Sequence, residues 1–172
     1  MRLDDNDFKL FGLPERQAQE RVEIDARWKA LQAQVHPDKF AAEGASSQRL
    51  AMQWAVRVNE AYQRLRDPLQ RAAYLCELRG VPLRVNENTR MPTAFLMEQM
   101  SWREALDEAD GLAAVETLDA EVEQRERGLL ADVQHLLDEA DDAPAAAEQV
   151  RALMFIARFR ADIDKRLDAL GQ

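Results

Sequence analysis

Apolar residues recur along this chain at the three- and four-residue spacing of an α-helix, and no sustained two-residue alternation typical of strands is present. A first stripe lies between residues 17 and 35 and comprises Ile24, Trp28, Leu31 and Val35. A second stripe lies between residues 43 and 66 and comprises Ala51, Ala55, Val58, Tyr62 and Leu65. The two stripes predict a pair of antiparallel amphipathic helices in an all-α protein.

Prolines and glycines mark where the predicted helices begin and end. Gly12 is placed to cap a short apolar turn. Pro37 requires the first long helix to end near His36, because proline disfavours helical geometry in the residue before it. We expect a short loop from there through Phe40. The predicted helices cover residues 8–11, 17–35, 43–66, 68–79, 94–109, 112–140 and 145–170.

Residues 80–92 contain two prolines and have no hydrophobic period, so we predict a linker there. It would separate an N-terminal domain, residues 1–79, from a C-terminal domain, residues 93–172. Thr93 is the expected N-cap of the next helix, and the three C-terminal helices predict a bundle. The last helix carries an apolar stripe in which Arg160 occupies the one polar position. The apolar members of this stripe are Leu153, Ile156, Ile163, Leu167 and Leu170.

Charge is distributed unevenly between the two predicted domains. Residues 1–79 carry 13 Lys and Arg against 12 Asp and Glu, a net charge of +1, whereas residues 80–172 carry 10 against 20, a net charge of −10. The acidic half argues against nucleic-acid binding, which requires basic surfaces that release phosphate counterions. The difference suggests that the two halves bind different partners.

Several other classes of function are disfavoured. No apolar run approaches the roughly 20 residues that span a bilayer, and the acidic N-terminus resembles no targeting peptide, so we expect a cytoplasmic protein without a membrane partner. Cys76 is the only cysteine, and His36 and His135 lie far apart, so we expect no disulfide, metal site or cofactor in this chain.

The acidic runs are expected to be solvated helix faces instead of catalytic carboxylates or calcium ligands, because the glycine-turned spacing of a calcium loop is absent. These runs comprise Glu121, Glu123, Glu126, Asp138, Glu139, Asp141 and Asp142. No catalytic pair is evident, and we expect the protein not to be an enzyme. Tyr62 and Tyr74, at helical positions, are expected in the core.

The tripeptide His36-Pro37-Asp38 lies between the two antiparallel helices. On one interpretation, Pro37 ends a helix, Asp38 caps the next segment, and His36 is incidental. On the other, the proline fixes a tight loop tip and the carboxylate awaits a bidentate arginine partner. Outward-facing Arg27 and Lys29 on the preceding helix favour this second interpretation, which makes the tip a docking edge.

The segments Gln34–Phe40 and Val58–Pro68, after the opening Phe8–Pro14, resemble a J-domain over nearly its full length. The resemblance implies docking on the ATPase domain of an HscA/DnaK-type 70-kilodalton heat-shock chaperone. It assigns Asp38 to contact that domain and His36 and Pro37 to shape the loop. The positive charge would come from Arg27, Lys29 and Lys39.

The remainder lacks the Gly/Phe-rich segment and zinc repeats of general DnaJ proteins. Its segments Arg71–Leu75 and Phe95–Glu104 are similar to those of HscB-type co-chaperones of iron–sulfur cluster assembly, and the resemblance covers essentially the whole chain. It implies a co-chaperone that delivers the cluster scaffold protein to an HscA-type chaperone, stimulates that chaperone's ATPase and so assists maturation of iron–sulfur proteins.

The resemblance places the scaffold-binding positions in the C-terminal domain: Leu96, Met97, Met100, Glu104, Glu108 and Phe155. Met100 replaces a more usual leucine, and Ser101 stands where an acid is expected, which puts one polar contact in doubt. Residue spacing agrees, because Leu96 and Met100 form a stripe about 100° around the helix from the expected core stripe of Phe95, Trp102 and Leu106. For Phe159, core and surface positions are both open.

Two alternative functions remain. In one, a J-protein binds a different client through the C-terminal patch. In the other, a helical adaptor carries His36-Pro37-Asp38 incidentally and stimulates no chaperone.

Overall fold

The computed structural model describes residues 1–83 and 91–171, and every regular element within these residues is helical. The predicted all-α class is therefore confirmed. The elements are α1 (Asp7–Phe11), α2 (Arg21–Val35), a 3₁₀ helix (Pro37–Glu43), α3 (Ala45–Arg66), α4 (Pro68–Leu78), α5 (Thr93–Glu108), α6 (Leu112–Asp138) and α7 (Ala143–Leu170).

Several predicted helix starts and one predicted loop differ from the structure, most of the starts by one or two residues. Helix α2 begins at Arg21 instead of residue 17, because the buried Gln17 side chain donates a hydrogen bond of 2.9 Å to the Pro68 carbonyl oxygen. The expected loop through Phe40 is a 3₁₀ helix. Thr93 is the first residue of α5 and makes no capping hydrogen bond, since the N-cap position is Pro92.

Contacts divide the chain into two compact units, Met1–Leu75 and Cys76–Gln172. The division lies inside α4, a few residues before the domain end predicted at residue 79. Residues 84–90, the greater part of the predicted linker, lie outside the described residues. The proposed domain limits therefore stay a prediction.

In the first unit, α2 and α3 pack side by side and antiparallel. The Tyr62 hydroxyl donates to Asp25 Oδ1 over 2.7 Å, and Trp28 Nε1 donates to Asn59 Oδ1 over 3.0 Å. From Asp25 to Trp28 the residue number on α2 rises, while the number of the bonded residue on α3 falls from Tyr62 to Asn59. The two helices therefore run antiparallel. Buried members of both predicted stripes face each other there: Ile24, Leu31, Val35, Ala51, Val58, Tyr62 and Leu65.

The short helix α1 is held against α3 and α4 by a buried carboxylate. Asp7 is fully buried and receives two hydrogen bonds from Arg64, of 2.6 and 2.9 Å, while Arg57 Nη2 lies 2.8 Å from Asp7 Oδ1. The Asp7 backbone N–H donates to the Tyr74 hydroxyl of α4. These contacts compensate for the loss of hydration that burying a charge entails. Tyr74, expected in the core, is half-buried.

Gly12 ends α1 as predicted. Its φ of +65° lies in the left-handed region that favours glycine, and its N–H bonds back to the Lys9 and Phe8 carbonyl oxygens. A Cβ at this position would lie 2.8 Å from Arg27 Nη1. Gly12 therefore permits the turn, and a larger residue there would also have to displace the end of the Arg27 side chain.

The second unit contains α5, α6 and α7, and its core is built from one apolar face of each helix. Buried residues include Phe95, Trp102, Leu106, Val115, Val122, Leu129, Val133, Leu153, Ile156 and Ile163. The predicted α7 stripe ends earlier than expected, because Leu170 is 39% exposed. Arg160, the polar residue of that stripe, forms ion pairs with Asp119 at 3.5 Å and Glu126 at 3.2 Å.

Candidate protein-binding surfaces

The loop tip of the first unit is shaped by Pro37 and its two neighbours. His36 has φ −60° and ψ 128°, the extended geometry expected before a proline. Its Nδ1 accepts a hydrogen bond of 3.2 Å from the Asp38 backbone N–H, so His36 caps the 3₁₀ helix. The interpretation in which Asp38 is the cap is wrong. Its carboxylate is 92% exposed, and Asp38 Oδ2 lies 3.6 Å from His36 Nδ1.

Two lysines expected to bind the chaperone lie beside this tip. Lys29, Gln32, Ala33, His36 and Lys39 line a shallow depression of about 400 Å³. Both lysines are exposed, so their charges make the depression basic. Two of its lining residues, His36 and Lys39, lie close to Asp38 in the sequence. The structure thus places Lys29, His36 and Lys39 around one depression, and their binding to a chaperone stays a prediction.

Arg27 differs from the two lysines because it is engaged within the chain. Its Nη2 lies 3.3 Å from Glu23 Oε1, and its Nη1 donates to the Phe11 carbonyl oxygen over 3.4 Å. Its side chain is nevertheless 46% exposed. Arg27 therefore packs α2 against the end of α1, and only part of its charge faces solvent.

Four residues that hold the helical hairpin in register were not identified as functional from the sequence. The Trp28 and Tyr62 rings stack with centroids 4.3 Å apart and planes inclined by 10°. Asn59 and Asp25 accept their respective hydrogen bonds. Both rings lie on the predicted stripes, but hydrophobic spacing does not reveal polar partners on another helix. Together these side chains fix the position of α2, and hence of the tip that follows it.

The hydroxyl of Tyr62 also changes the acidity of its partner. Its hydrogen bond, followed by that from Arg21, lowers the pKa of Asp25 below the ordinary value of 3.8. Hydrogen bonding to the ionised form of a carboxyl favours that form. The pKa of Asp25 therefore reports whether Tyr62 of α3 is held in register with α2.

A second surface lies on α5 in the other unit. Leu96, Met97 and Met100 are exposed by 42%, 67% and 70%, whereas Phe95 and Trp102 are buried on a different face of the helix. Glu104 and Glu108 are exposed farther along α5. We call Leu96, Met97, Met100 and Phe155 the apolar patch. Its three members on α5 lie in one solvent-exposed region of that helix.

Phe155 of α7 lies next to this region. It is half-buried, and its ring meets Phe95 edge-on with centroids 6.2 Å apart. The Arg158 guanidinium lies 5.9 Å from the Phe155 ring centroid, a cationic neighbour that the sequence did not indicate. Phe159 is 1% exposed and stacks on Trp102, so the open question about this residue is resolved in favour of the core.

Metal and nucleophilic chemistry receive no support from the residues that the structure describes. Within residues 1–83 and 91–171, no three His, Cys, Asp or Glu side chains are grouped so that they could hold a metal ion. Burial raises the pKa of the Cys76 thiol to about 11, which disfavours the reactive thiolate. No described helix is long and apolar enough to cross a membrane.

Comparison with known proteins gives one consistent family. A family model described as the HSCB C-terminal oligomerisation domain matches residues 91–164. A protein of Burkholderia mallei named Co-chaperone protein HscB homolog is 50% identical over 171 residues, covering 98% of this chain and 97% of that protein.

Two solved structures resemble the fold over most of the chain. The chaperone HscB from Vibrio cholerae has a TM-score of 0.83 and 37% identity, covering 96% of this chain and 99% of that one. The human co-chaperone protein HscB has a TM-score of 0.87 and 25% identity, covering 96% and 84% respectively.

Replacing Tyr62 with Phe should raise the pKa of Asp25, because the largest interaction that lowers it is removed. In the unaltered chain, this lowered pKa contributes stability above the unfolded-state pKa, and the contribution is lost as pH falls through the folded-state pKa. The variant should therefore lose less stability on acidification. NMR titration of the Asp25 carboxyl carbon measures the shift. Tyr74→Phe is the control and should leave Asp25 unchanged; an unshifted Asp25 in Tyr62→Phe would contradict the assigned hydrogen bond.

Proposed function

The chain belongs to the HscB family of co-chaperones, and we propose that it couples an HscA-type heat-shock chaperone to the iron–sulfur cluster scaffold protein. The first unit binds the chaperone's ATPase domain and stimulates ATP hydrolysis. The second unit binds the scaffold protein. The chain catalyses no reaction itself and assists maturation of iron–sulfur proteins in the cytoplasm.

The observation that carries the chaperone-binding proposal is the exposure of Asp38 at a conformationally restricted tip. The proline ring limits the backbone before it, and the His36 cap orders the turn after it. A carboxylate held in this way can receive two parallel hydrogen bonds from an arginine without first paying the full entropy of ordering the loop. Lys29 and Lys39 supply the neighbouring positive charge for an acidic partner surface.

The scaffold-binding proposal is supported by the apolar patch on an otherwise acidic unit. Two methionines and a leucine that expose much of their side chains on one helix are characteristic of a partner site, since soluble proteins otherwise cover large contiguous apolar areas. Exposed Glu104 and Glu108 give this helix a polar, anionic extension. The expected partner surface is therefore apolar at its centre, with cationic or donor groups at one side.

Binding of both partners by one chain gives the activation a thermodynamic basis. If the J-domain and the delivered client each favour the hydrolysis-competent state of the chaperone, each contributes a coupling free energy to the same equilibrium. The co-chaperone also raises the local concentration of client at the chaperone, because the client is tethered once the first unit has docked. We propose residues 1–79 and 93–172 as the two binding domains.

Replacing Asp38 with Asn should abolish stimulation of the HscA-type ATPase while leaving the fold intact. Losing one member of a desolvated charge pair costs roughly 2–5 kcal/mol, so chaperone affinity should fall about thirtyfold or more. Steady-state ATP hydrolysis measures stimulation, and circular dichroism measures folding. Asp4→Asn, at an acid whose side chain is 71% exposed, is the control. Normal stimulation by Asp38→Asn would refute the docking role and favour an incidental tripeptide.

Replacing Leu96 and Met100 together with Ala should weaken scaffold binding by at least tenfold, because the binding centre loses apolar area that becomes buried in the complex. Isothermal titration calorimetry with purified scaffold protein measures the affinity. Leu112→Ala is a matched control, since Leu112 of α6 is 45% exposed, close to the 42% of Leu96. Phe155→Ala should also weaken binding, with its stability checked separately because of the Phe95 contact.

Unchanged scaffold affinity in the Leu96→Ala/Met100→Ala double variant would show that the patch is not the scaffold-binding site. If the chain binds no scaffold but still stimulates the chaperone, the protein is a J-protein with a different client.

A further inference from the structure

Two of the three exposed side chains that α5 contributes to the apolar patch are thioethers. Met97 and Met100 are 67% and 70% exposed, against 42% for Leu96. They lie three positions apart and are therefore neighbours on the helix surface. Both residues are largely exposed to solvent, and both belong to the surface on which the scaffold protein is proposed to bind.

We propose that Met97 and Met100 form a reversible oxidation site that switches off scaffold binding, an inference that rests on the proposed function of the patch. The oxidant is a hydroperoxide such as hydrogen peroxide. The thioether sulfur attacks one peroxide oxygen and forms the sulfur–oxygen bond while the O–O bond breaks. The proton on the attacked oxygen passes to the departing oxygen, which leaves as water from hydrogen peroxide or as an alcohol from an organic hydroperoxide. Sulfur loses two electrons and the peroxide gains them.

The added oxygen changes the physical character of the patch. A methionine is flexible and apolar, whereas its sulfoxide carries a strong, polar hydrogen-bond acceptor. Burial of that acceptor against an apolar partner surface removes its water without supplying a donor, which opposes binding. The same helix remains folded, because both side chains point largely into solvent and contribute little to the core.

Each methionine has a hydrogen-bond donor within one turn on the helix. Ser101, one turn after Met97, has an exposed hydroxyl that is able to donate. Arg103, three positions after Met100, has an exposed guanidinium that donates as well. Oxidation of either methionine should therefore contribute to the effect.

The chain supplies an internal comparison in Met52 of α3, which is 58% exposed but belongs to the first unit. Its exposure is similar, so peroxide should oxidise it at a comparable rate. Its sulfoxide should not affect scaffold affinity. The comparison with Met52 therefore separates the general effect of methionine oxidation on scaffold affinity from the effect of oxidation at the patch.

The test treats the full-length chain with hydrogen peroxide until peptide mass spectrometry shows one added oxygen on Met52, Met97 and Met100. Calorimetry should then show scaffold affinity weakened by about tenfold or more, with an unchanged far-UV circular dichroism spectrum. Methionine sulfoxide reductases A and B with dithiothreitol should restore binding. Met97→Leu and Met100→Leu should each keep more affinity than the unaltered chain after the same treatment, and Met97→Leu/Met100→Leu should keep all of it.

The outcomes separate this inference from the function on which it rests. Tight binding before treatment and equally tight binding after verified oxidation of Met97 and Met100 would overturn the oxidation site alone. Loss of binding in the peroxide-treated double-leucine variant would also overturn it, since the damage would lie elsewhere. Absence of binding before treatment would overturn the scaffold-binding function and this inference together.

Discussion

Proline at position 37 has no backbone N–H to donate and excludes its predecessor from helical geometry, so α2 has to end at Val35. The chain then turns through a 3₁₀ helix whose first N–H is capped by His36. Asp38 consequently points into solvent between two helices that are packed against each other. Without this constraint α2 would be free to continue, and the acidic tip would have no defined position relative to the lysines beside it.

The hairpin that carries this tip is itself fixed by side chains on both helices and by a buried ion cluster. Trp28 and Tyr62 set the spacing of α2 and α3 through ring stacking and through hydrogen bonds to Asn59 and Asp25. Asp7, enclosed by two arginines, ties α1 to α3 in the same unit. These ion pairs stabilise the unit that supports the tip.

The sequence allowed prediction of features that depend on local geometry. The stripes of α2 and α3, the glycine turn at Gly12 and the end of α2 before Pro37 follow from helical spacing and backbone restrictions. Features that depend on contacts between residues far apart in the sequence could not be predicted. Helix α2 starts late because Gln17 bonds to Pro68, and Phe159 lies in the core because Trp102 stacks on it. Most members of the candidate surfaces came from family resemblance, and their exposure was then visible in the structure.

We propose that one chain binds chaperone and scaffold at the same time. Single-turnover ATP hydrolysis by an HscA-type chaperone, with scaffold protein present, tests it with two variants that each retain one surface, Asp38→Asn and Leu96→Ala/Met100→Ala. The unaltered chain should accelerate hydrolysis beyond the separate effects of co-chaperone and scaffold, and the mixture of variants should show no such synergy. Full synergy from the mixture would refute simultaneous binding by one chain, because the two surfaces would then act independently of their connection.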